Sequence, residues 1–280
     1  MHICKKALTL AVSLLLSVII LSFTCAASEN IGQPIGLKIN NTSVSGAVLI
    51  DNGTAYAPFR VIVSAIDPTA EFEWNNKIKA SISHGNGVEI TAYSTKTYIE
   101  ANGRILYVHE HAPMNINGTL YVPVRSIAKA YSLKCSWDGK NKIAVLSGKA
   151  KAIKSGAEFY DENDVYWLSR IISAEARGEP FVGQIAVGNV VLKRVESKSF
   201  PNNIYDVIFD RRFGIQFTPA YSGAIYKVPY DSCIIAAKIS LEGVEVVDAL
   251  YFCTIAVSQR SWMHKNCRYV TTIGDHVFYY

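Results

Sequence analysis

The chain has 280 residues, of which 50% are hydrophobic, 11% aromatic and 18% charged. This apolar share excludes disorder over most of the chain, and the length corresponds to about two domains. Because the net charge is only +5 and basic residues do not form a long run, we expect no nucleic-acid partner.

The N-terminus has the pattern of a secretory signal peptide. Lys5 and Lys6 precede an apolar run from Ala7 to Phe23, and the small residues Cys25-Ala26-Ala27 stand before a polar stretch. A positive start, an apolar middle and small residues at the cleavage position define such a peptide. We therefore predict a signal peptide over residues 1–27 and a secreted protein. An uncleaved membrane anchor is the alternative, because the apolar run is long.

Cleavage at that position leaves four cysteines, Cys135, Cys233, Cys253 and Cys267. They form no Cys-x-x-Cys pair, so the pattern supports neither a zinc site nor a redox motif. Cys233 lies in an apolar stretch and is interpreted as a small core residue. A disulfide between Cys253 and Cys267 is compatible with the sequence, which does not establish it.

Residues 28–150 contain a duplicated unit. The segment Asn52–Arg60 recurs 65 residues later as Asn117–Arg125, with the shared pattern N-G-T-x-Y-x-P-x-R. Each copy predicts a hairpin around Asn-Gly, a short helix after the proline and two further strands. A period this long, present twice, predicts two small α+β units packed together rather than a solenoid.

This pattern resembles the copper amine oxidase N-terminal-like domain, also called the stalk domain, of secreted bacterial proteins. The resemblance covers about residues 36–148. No copper site is evident, because His84, His109 and His111 are the only histidines of this half. The last two are interpreted as part of an exposed strand face, with a pair of metal ligands as the alternative. We predict neither a metal nor another cofactor. The tryptophans and tyrosines are interpreted as core residues, with stacking on sugar rings as the alternative.

The predicted mature chain has its excess positive charge in this N-terminal half. Residues 28–150 contain 12 Lys+Arg and 9 Asp+Glu, a net charge of +3, whereas residues 151–280 contain 14 of each. The difference makes an anionic cell-wall polymer a candidate partner of the N-terminal domain. We predict a linker over residues 151–163 and a second domain over residues 164–280.

The second domain opens with an amphipathic helix that includes an acidic residue on its apolar face. Glu175 continues, at helical spacing, a stripe formed by Val165, Leu168, Ile171 and Ile172. Asp161 or Asn163 can cap this helix, and Gly178 with Pro180 ends it. Burial among aliphatic side chains raises the pKa of a carboxyl group, as a general acid at neutral pH requires. The alternative is a carboxylate paired with Arg170, Arg177 or a backbone amide.

The remaining pattern predicts further elements in chain order. They are a helix over 182–195, a short helix after Asn202-Asn203, a loop over Arg211–Val228, a helix over 230–242, a strand at Ala249–Phe252 and a hairpin around Gly274-Asp275. A loop as long as the one over Arg211–Val228 is uncommon unless it is functional or disordered.

Several of these segments resemble the SleB/CwlJ cell wall hydrolase family over about residues 164–280. They are Ile172–Pro180, Gly183–Val195, Gln216–Pro219, Ala249–Phe252 and Ile273–Tyr279. The resemblance implies a peptidoglycan-cleaving domain that is mainly helical, similar to lysozyme-like lytic transglycosylases, with a short β-hairpin. The whole chain is then α+β, and Glu175 is implied to be the single essential acid.

The implied mechanism is that of a lytic transglycosylase, in which one glutamate serves as acid and then as base. Glu179 is the obvious second carboxylate for a hydrolase, but it follows Gly178 and has left the helical face. Gln216, Tyr251 and Thr254 are predicted to bind the sugar, with packing or loop hydrogen bonds as the alternative for Gln216 and Tyr251. The expected partner is peptidoglycan, in the cell wall or the spore cortex.

Two alternatives stay open at this point. The family usually has Asn-Pro shortly after the Tyr-Phe strand, where this chain has Cys253-Thr254-Ile255-Ala256. This departure favours, as the second hypothesis, a wall-binding or scaffold protein whose hydrolase-like domain is inactive. An amidase or peptidase is less favoured, because neither zinc-ligand spacing nor a Cys/His pair stands out.

Overall fold

The structure, a computed structural model, describes residues 32–109 and 111–280. The predicted signal peptide, residues 1–27, lies outside these ranges. Within them, no helix is long and apolar enough to cross a membrane. The described chain forms a β-rich part, residues 32–150, and a mainly helical part, residues 156–280, which we call the repeat half and the helical half.

The repeat half is built from short strands and two helices. The strands are β1 (Gln33–Pro34), β2 (Gly36–Ile39), β3 (Thr42–Ser43), β4 (Leu49–Asp51), β5 (Thr54–Pro58), β6 (Glu71–Asn75), β7 (Ala80–Gly85), β8 (Val88–Tyr93), β9 (Tyr98–Ala101), β10 (Arg104–Tyr107), β11 (Met114–Ile116), β12 (Thr119–Pro123), β13 (Lys134–Asp138) and β14 (Ile143–Ser147). The helices are α1 (Phe59–Ile66) and α2 (Val124–Ala130). The strands form sheets in the orders β1-β4-β5-β12-β11, β10-β9-β8-β7-β6 and β13-β14-β2-β3.

The two sequence copies pair with each other about an approximate twofold axis. Strand β5 lies antiparallel to β12, with Ala57 opposite Val122, and these residues occupy the same position in the two copies. The φ angles of Asn52 and Gly53 are 44° and 77°, and those of Asn117 and Gly118 are 51° and 79°. Positive φ at both central residues is typical of a two-residue type I′ hairpin. The predicted pair of α+β units is therefore confirmed.

Helices α1 and α2 each begin directly after a strand-ending proline and pack into one shared core. Ile62, Val63 and Ile127 are fully buried there, and burying a side chain of this size contributes about 2 kcal/mol. The last hairpin of each copy then takes a different neighbour. Strand β7 pairs with β8, whereas β14 pairs in parallel with β2.

The helical half contains most of the helices and one small sheet. The helices are α3 (Gly156–Phe159), α4 (Glu162–Ala176), α5 (Phe181–Glu196), α6 (Ile204–Ile208), α7 (Thr218–Tyr221), α8 (Asp231–Leu241), α9 (Ile255–Ser258) and α10 (Trp262–Asn266), with a 3-10 turn at Ala224–Tyr226. The strands are β15 (Tyr251–Thr254), β16 (Tyr269–Ile273) and β17 (His276–Tyr279), in the order β15-β17-β16. The predicted α+β class is confirmed.

Helix α4 is stabilised by the cap at its N-terminus and by the packing of its apolar face. Asp161 caps it by accepting from the backbone N–H groups of Asn163 and Asp164 at 2.9 and 3.1 Å. Its apolar face packs on α5 and α8. Helices α5 and α8 also approach each other closely where Gly188 faces Ser240, because a Cβ on Gly188 would lie 2.5 Å from the Ser240 Oγ.

A buried ion cluster joins the two halves. The Glu242 side chain, just after α8, is 1% exposed and accepts from Arg104 of β10 at 2.7 and 2.6 Å. Lys129 and Tyr160 donate to the same carboxylate at 3.0 and 2.8 Å. Ile105 of β10 lies within the hydrophobic core of the helical half. The halves therefore share both a polar cluster and part of a core.

The segment between the halves is also held in place. Ile153 donates its N–H to the carbonyl of Ala130 at 3.0 Å and packs into the core of the repeat half. Gly156 donates to the Asn102 carbonyl at 2.7 Å. Helices α3 and the start of α4 lie inside the predicted linker range, residues 151–163.

Several sequence predictions are wrong in detail. Trp74 and Trp137 are not core residues: they are 48% and 47% exposed, although Tyr56 and Tyr131 are buried as predicted. His109 is not on a strand, because β10 ends at Tyr107 and His109 lies in a turn with φ of 48°. The predicted loop over 211–228 contains α7 and the 3-10 turn, where Phe217 and Ile225 are buried and hold the backbone. The four cysteines that the structure describes are free, and Cys233 is buried as predicted.

Candidate active site

Glu175 lies in the last turn of α4, where the helix leaves the core. Its side chain is half-buried, because the apolar stripe that it continues faces α5 and α8. Among the described residues, the Glu175 carboxyl has no hydrogen-bond or ion-pair partner. The two arginines weighed as partners are placed elsewhere: the Arg170 guanidinium stacks on Tyr166 at 3.6 Å and that of Arg177 lies over Tyr230 at 5.9 Å.

This environment favours the protonated form of the Glu175 carboxyl group. Burial raises the pKa of its carboxyl from 4.5 to about 7, and the positive charge of Arg194 partly opposes the rise. Near neutral pH the group therefore holds its proton in a large fraction of molecules, whereas an ordinary surface glutamate is ionised. A carboxylic acid poised near the working pH is suited to donate a proton and to take one back.

Arg194, in the last turn of α5, is a buried cation beside this acid. The residue is 4% exposed, and its Nε donates to the Leu250 carbonyl at 2.7 Å. The rings of Phe200 and Phe217 lie 5.0 Å from the guanidinium carbon and that of Tyr251 lies 5.5 Å from it. Burial lowers the pKa of Arg194 to about 10, so the guanidinium is charged at neutral pH. One of its nitrogens, Nη1, is buried without a partner in the described structure.

The predicted sugar-binding residues lie at different distances from this centre. Tyr251 opens β15 and contacts the Arg194 guanidinium, so it belongs to the same cluster as the acid. Gln216 precedes Phe217 and donates to the Gly214 carbonyl at 3.2 Å, which is the loop hydrogen bond weighed as its alternative. Thr254 is exposed at the far end of β15, opposite His276. Thr254 is three residue steps along the strand from Tyr251, or about 10 Å.

Glu179 has a structural contact with the terminal hairpin. Its carboxylate accepts from the backbone N–H of Asp275 at 2.8 Å, in the turn between β16 and β17. Gly274 has a φ of 57°, and a Cβ there would lie 2.7 Å from the Pro180 Cδ, so a larger residue would be strained at this position. The contact ties the end of α4 to the terminal hairpin.

The structure also shows site residues that sequence reasoning missed. Arg194 is not among the predicted site residues, because a buried arginine at a helix end has no sequence signature of its own. His276 is buried, its Nδ1 has no partner among the described residues, and burial lowers its pKa despite the charges of Glu179 and Asp275. Within the described ranges, no group of three or more His, Cys, Asp or Glu side chains could hold a metal ion.

Two protein-family models match this chain, one in each half. The model described as Cell Wall Hydrolase matches residues 178–279. The model described as Copper amine oxidase N-terminal domain matches residues 38–147. The first match begins three residues after Glu175, so it covers α5, α8 and the terminal sheet rather than the acid itself.

Curated proteins similar to this chain are spore cortex-lytic enzymes. The enzyme of Bacillus cereus is 34% identical over 120 residues, which are 42% of this chain and 45% of that protein. The enzyme of Halalkalibacterium halodurans is 33% identical over 131 residues, 46% of this chain and 38% of that protein. The chain thus spans less than half the length of these curated relatives.

A solved structure is similar over the same region. The catalytic domain of the germination-specific lytic transglycosylase SleB from Bacillus anthracis is 32% identical, and the match covers 46% of this chain and 100% of that chain with a TM-score of 0.40.

The helical half therefore matches the cell wall hydrolase family, and the repeat half before it matches the copper amine oxidase N-terminal domain family. The same half is similar to spore cortex-lytic enzymes. Both family predictions made from the sequence are confirmed.

Proposed function

We propose that this protein cleaves the glycan strands of peptidoglycan, in the cell wall or the spore cortex, as a lytic transglycosylase with Glu175 as its only acid and base. The observation that carries the proposal is a half-buried carboxyl group with a pKa near 7 and no polar partner among the described residues, next to a buried cation. The name spore cortex-lytic enzyme of the relatives supports the same substrate.

The reaction proceeds by one proton transfer in each direction. Protonated Glu175 gives its proton to the glycosidic oxygen, and the bond from that oxygen to C1 of the muramyl residue breaks. The resulting carboxylate takes the proton of the C6 hydroxyl of the same sugar, whose oxygen then bonds to C1. The products are a 1,6-anhydromuramyl end and a free hydroxyl on the next sugar, and Glu175 is protonated again.

Arg194 fits this cycle as a positioning charge. During the reaction Glu175 passes through its anionic form, which burial disfavours. A fixed positive charge nearby stabilises that form, while the aromatic rings around the guanidinium exclude water and strengthen the effect. Too strong an attraction would deprotonate the acid permanently, and the pKa of about 7 reflects the balance.

The use of one carboxylate is supported by the position of Glu179. A hydrolase needs a second carboxylate as nucleophile or base. Glu179 binds the backbone N–H of Asp275 and is engaged in holding the terminal hairpin. An internal hydroxyl of the substrate therefore serves as the nucleophile.

The proposal also covers where the protein acts and how it is held on its substrate. We propose that the signal peptide directs the protein out of the cell and that the N-terminal domain, whose residues 28–150 have a net charge of +3, holds it on the anionic wall. Tyr251 and Gln216 contact the sugar beside the acid, and Thr254 contacts a neighbouring sugar.

Digestion of purified sacculi, followed by mass spectrometry of the released muropeptides, tests the function. We expect products that end in 1,6-anhydromuramic acid, 18 Da lighter than hydrolysis products because no water is added. Reducing ends alone would instead require water as nucleophile and a second carboxylate. No release at all, with the chain bound to the sacculi, would favour an inactive scaffold.

A further inference from the structure

The repeat half has two cavities that the sequence duplication relates to each other. The first, of about 680 Å³, contains Arg125 and Trp137 of the second copy and the hairpin residues Gly53 and Thr54 of the first. The second, of about 630 Å³, contains the equivalent set: Arg60 and Trp74 of the first copy, and Gly118 and Thr119 of the second. We call them the Trp137 pocket and the Trp74 pocket.

We propose that each pocket binds one sugar of a peptidoglycan strand, with the sugar ring stacked on the tryptophan and a carboxylate of the strand at the arginine. The identity of the polymer rests on the proposed function. The repeat half then becomes a two-site glycan-binding module rather than a general positively charged surface.

The pairing of β5 with β12 explains why there are two pockets. The register places Ala57 opposite Val122 and Tyr56 opposite Pro123, so each copy directs its Asn-Gly hairpin toward the helix start of the other. Even the floor of each pocket is equivalent. Ser81 lies opposite Trp74 and lines its pocket, and Ala144 does the same for Trp137.

Each tryptophan side chain is accessible to solvent. Trp74 and Trp137 are 48% and 47% exposed, nearly the same fraction in two copies that otherwise have different neighbours. The strand partners opposite them are small, so one indole face stays open. An indole exposes both a large apolar face and an N–H group, which suits a partner that is apolar on one side and wet on the other.

Each arginine lies beside its tryptophan. The Arg60 guanidinium lies 5.1 Å from the ring of Phe72, which shares a strand face with Trp74. In the second copy Cys135 takes the place of Phe72, and Arg125 is close enough for its charge to offset part of the rise that burial causes in the pKa of that thiol. Both arginines are exposed, and no ion pair between described residues includes either of them.

This combination selects the chemistry of the ligand. The apolar face of a pyranose ring stacks on an indole, and a guanidinium binds a carboxylate through two parallel N–H groups. A peptidoglycan strand offers both, because its sugars carry peptides that end in carboxylates. A phosphate polymer without stacked sugar rings would satisfy the arginines alone.

The Trp137 pocket lies next to the helical half. Val244, Glu245 and Val246 line it together with Tyr107, and the Tyr107 ring lies 6.3 Å from that of Phe181 at the start of α5. Phe181 follows Glu175 by six residues. A glycan strand bound in the Trp137 pocket therefore lies against the domain that cleaves it. The Trp74 pocket, in contrast, is lined by the repeat half alone.

Binding is tested with the full chain in an E175Q background, so that the polymer is not consumed. The probes are sacculi freed of phosphate polymers by acid, in cosedimentation, and a soluble muropeptide tetrasaccharide, in calorimetry. We expect W74A and W137A each to weaken binding to sacculi, and the double variant to weaken it at least about tenfold because two linked sites are lost. The variant W74F/W137F keeps an aromatic face at both positions and should retain most of the binding.

Matched controls separate a site from general charge. R60A and R125A should weaken binding more than K77A and K140A, which remove the same charge from exposed positions outside the pockets. Equal loss in the two pairs would overturn the role of the pockets, as would unchanged binding of W74A/W137A. Binding that disappears when the phosphate polymers are removed would overturn peptidoglycan as the ligand. Because E175Q is inactive by design, a wild-type chain that fails to cleave leaves this result intact, and the two proposals fail separately.

Discussion

Two glutamates of this protein are shielded from water, one at the end of α4 and one just after α8, and their surroundings differ in kind. Glu242 accepts hydrogen bonds from Arg104, Lys129 and Tyr160. Burial alone would raise its pKa, but these donors hold the pKa below its ordinary value. Glu175 has no such donor among the described residues, and burial raises its pKa to about 7.

The difference distinguishes a glutamate with a structural role, Glu242, from one suited to proton transfer, Glu175. A buried carboxylate with several donors is fixed as an anion and joins two parts of the fold. A shielded carboxyl without donors is destabilised as an anion and exchanges its proton near neutral pH. Local partners, not depth of burial, therefore decide which glutamate binds the halves together and which one is proposed to act on substrate.

The largest effect is expected from removing the proton of Glu175. E175Q keeps the size of the side chain but cannot donate as an acid, so glycan cleavage should fall by about 10³-fold, measured as release of soluble muropeptides. The unfolding transition should be preserved. The matched control is E179Q, which can still accept from the Asp275 N–H and should retain most activity. Loss of activity in both variants would indicate two catalytic carboxylates.

The second prediction concerns the joint at Glu242. E242A leaves Arg104 and Tyr160 buried without their partner, so the free energy of unfolding should fall by about 3 kcal/mol in chemical denaturation. K129A removes the exposed member of the same cluster and should cost less than about 1 kcal/mol. Similar small losses for both would show that the cluster does not hold the halves together.

The third prediction uses the opposite pH dependence of the two groups. Below pH 4.5, Glu175 is protonated in both the folded and the unfolded chain, so the wild type and E175Q should be similarly stable. As the pH rises toward 7, only the unfolded chain ionises, and the wild type should lose up to about 3 kcal/mol relative to E175Q. Glu242, whose pKa is lowered, should instead cost stability only as the pH falls below its ordinary value. A stability difference between wild type and E175Q that does not change with pH would contradict the raised pKa.

The smallest effect is a shift in the pH profile of cleavage. The alkaline limb should lie near pH 7, because only protonated Glu175 starts the reaction. Arg194 lowers the pKa of Glu175, so R194M should move this limb to higher pH. R194K keeps the charge and should leave the limb in place even if it lowers the rate. An unmoved limb in both variants would show that Arg194 acts only through packing.

Local sequence signals predicted much of the fold. Asn-Gly pairs specified the hairpins, the cap at Asp161 and the breakers Gly178 and Pro180 bounded α4, and the apolar stripe placed Glu175 on the packed face. These features are predictable because each depends on residues within a few positions of one another. The duplication also predicted two α+β units.

Features that depend on distant residues were not predictable in this way. Arg194 is buried because Phe200, Phe217 and Tyr251 come together around it, from three separate segments. Trp74 and Trp137 are exposed next to small strand partners, although tryptophan side chains are usually well buried. The donors to Glu242 come from both halves, and no local pattern joins them.

The central claim is that Glu175 is a neutral acid near pH 7, and its carboxyl carbon can be titrated directly. NMR of the full chain labelled with ¹³C at the glutamate carboxyl, with E175Q to assign the resonance, measures this pKa between pH 3 and 9. We expect a midpoint at about 7 for Glu175. A midpoint near the ordinary value of 4.5 would mean that the group is ionised at neutral pH and would contradict its assignment as the acid.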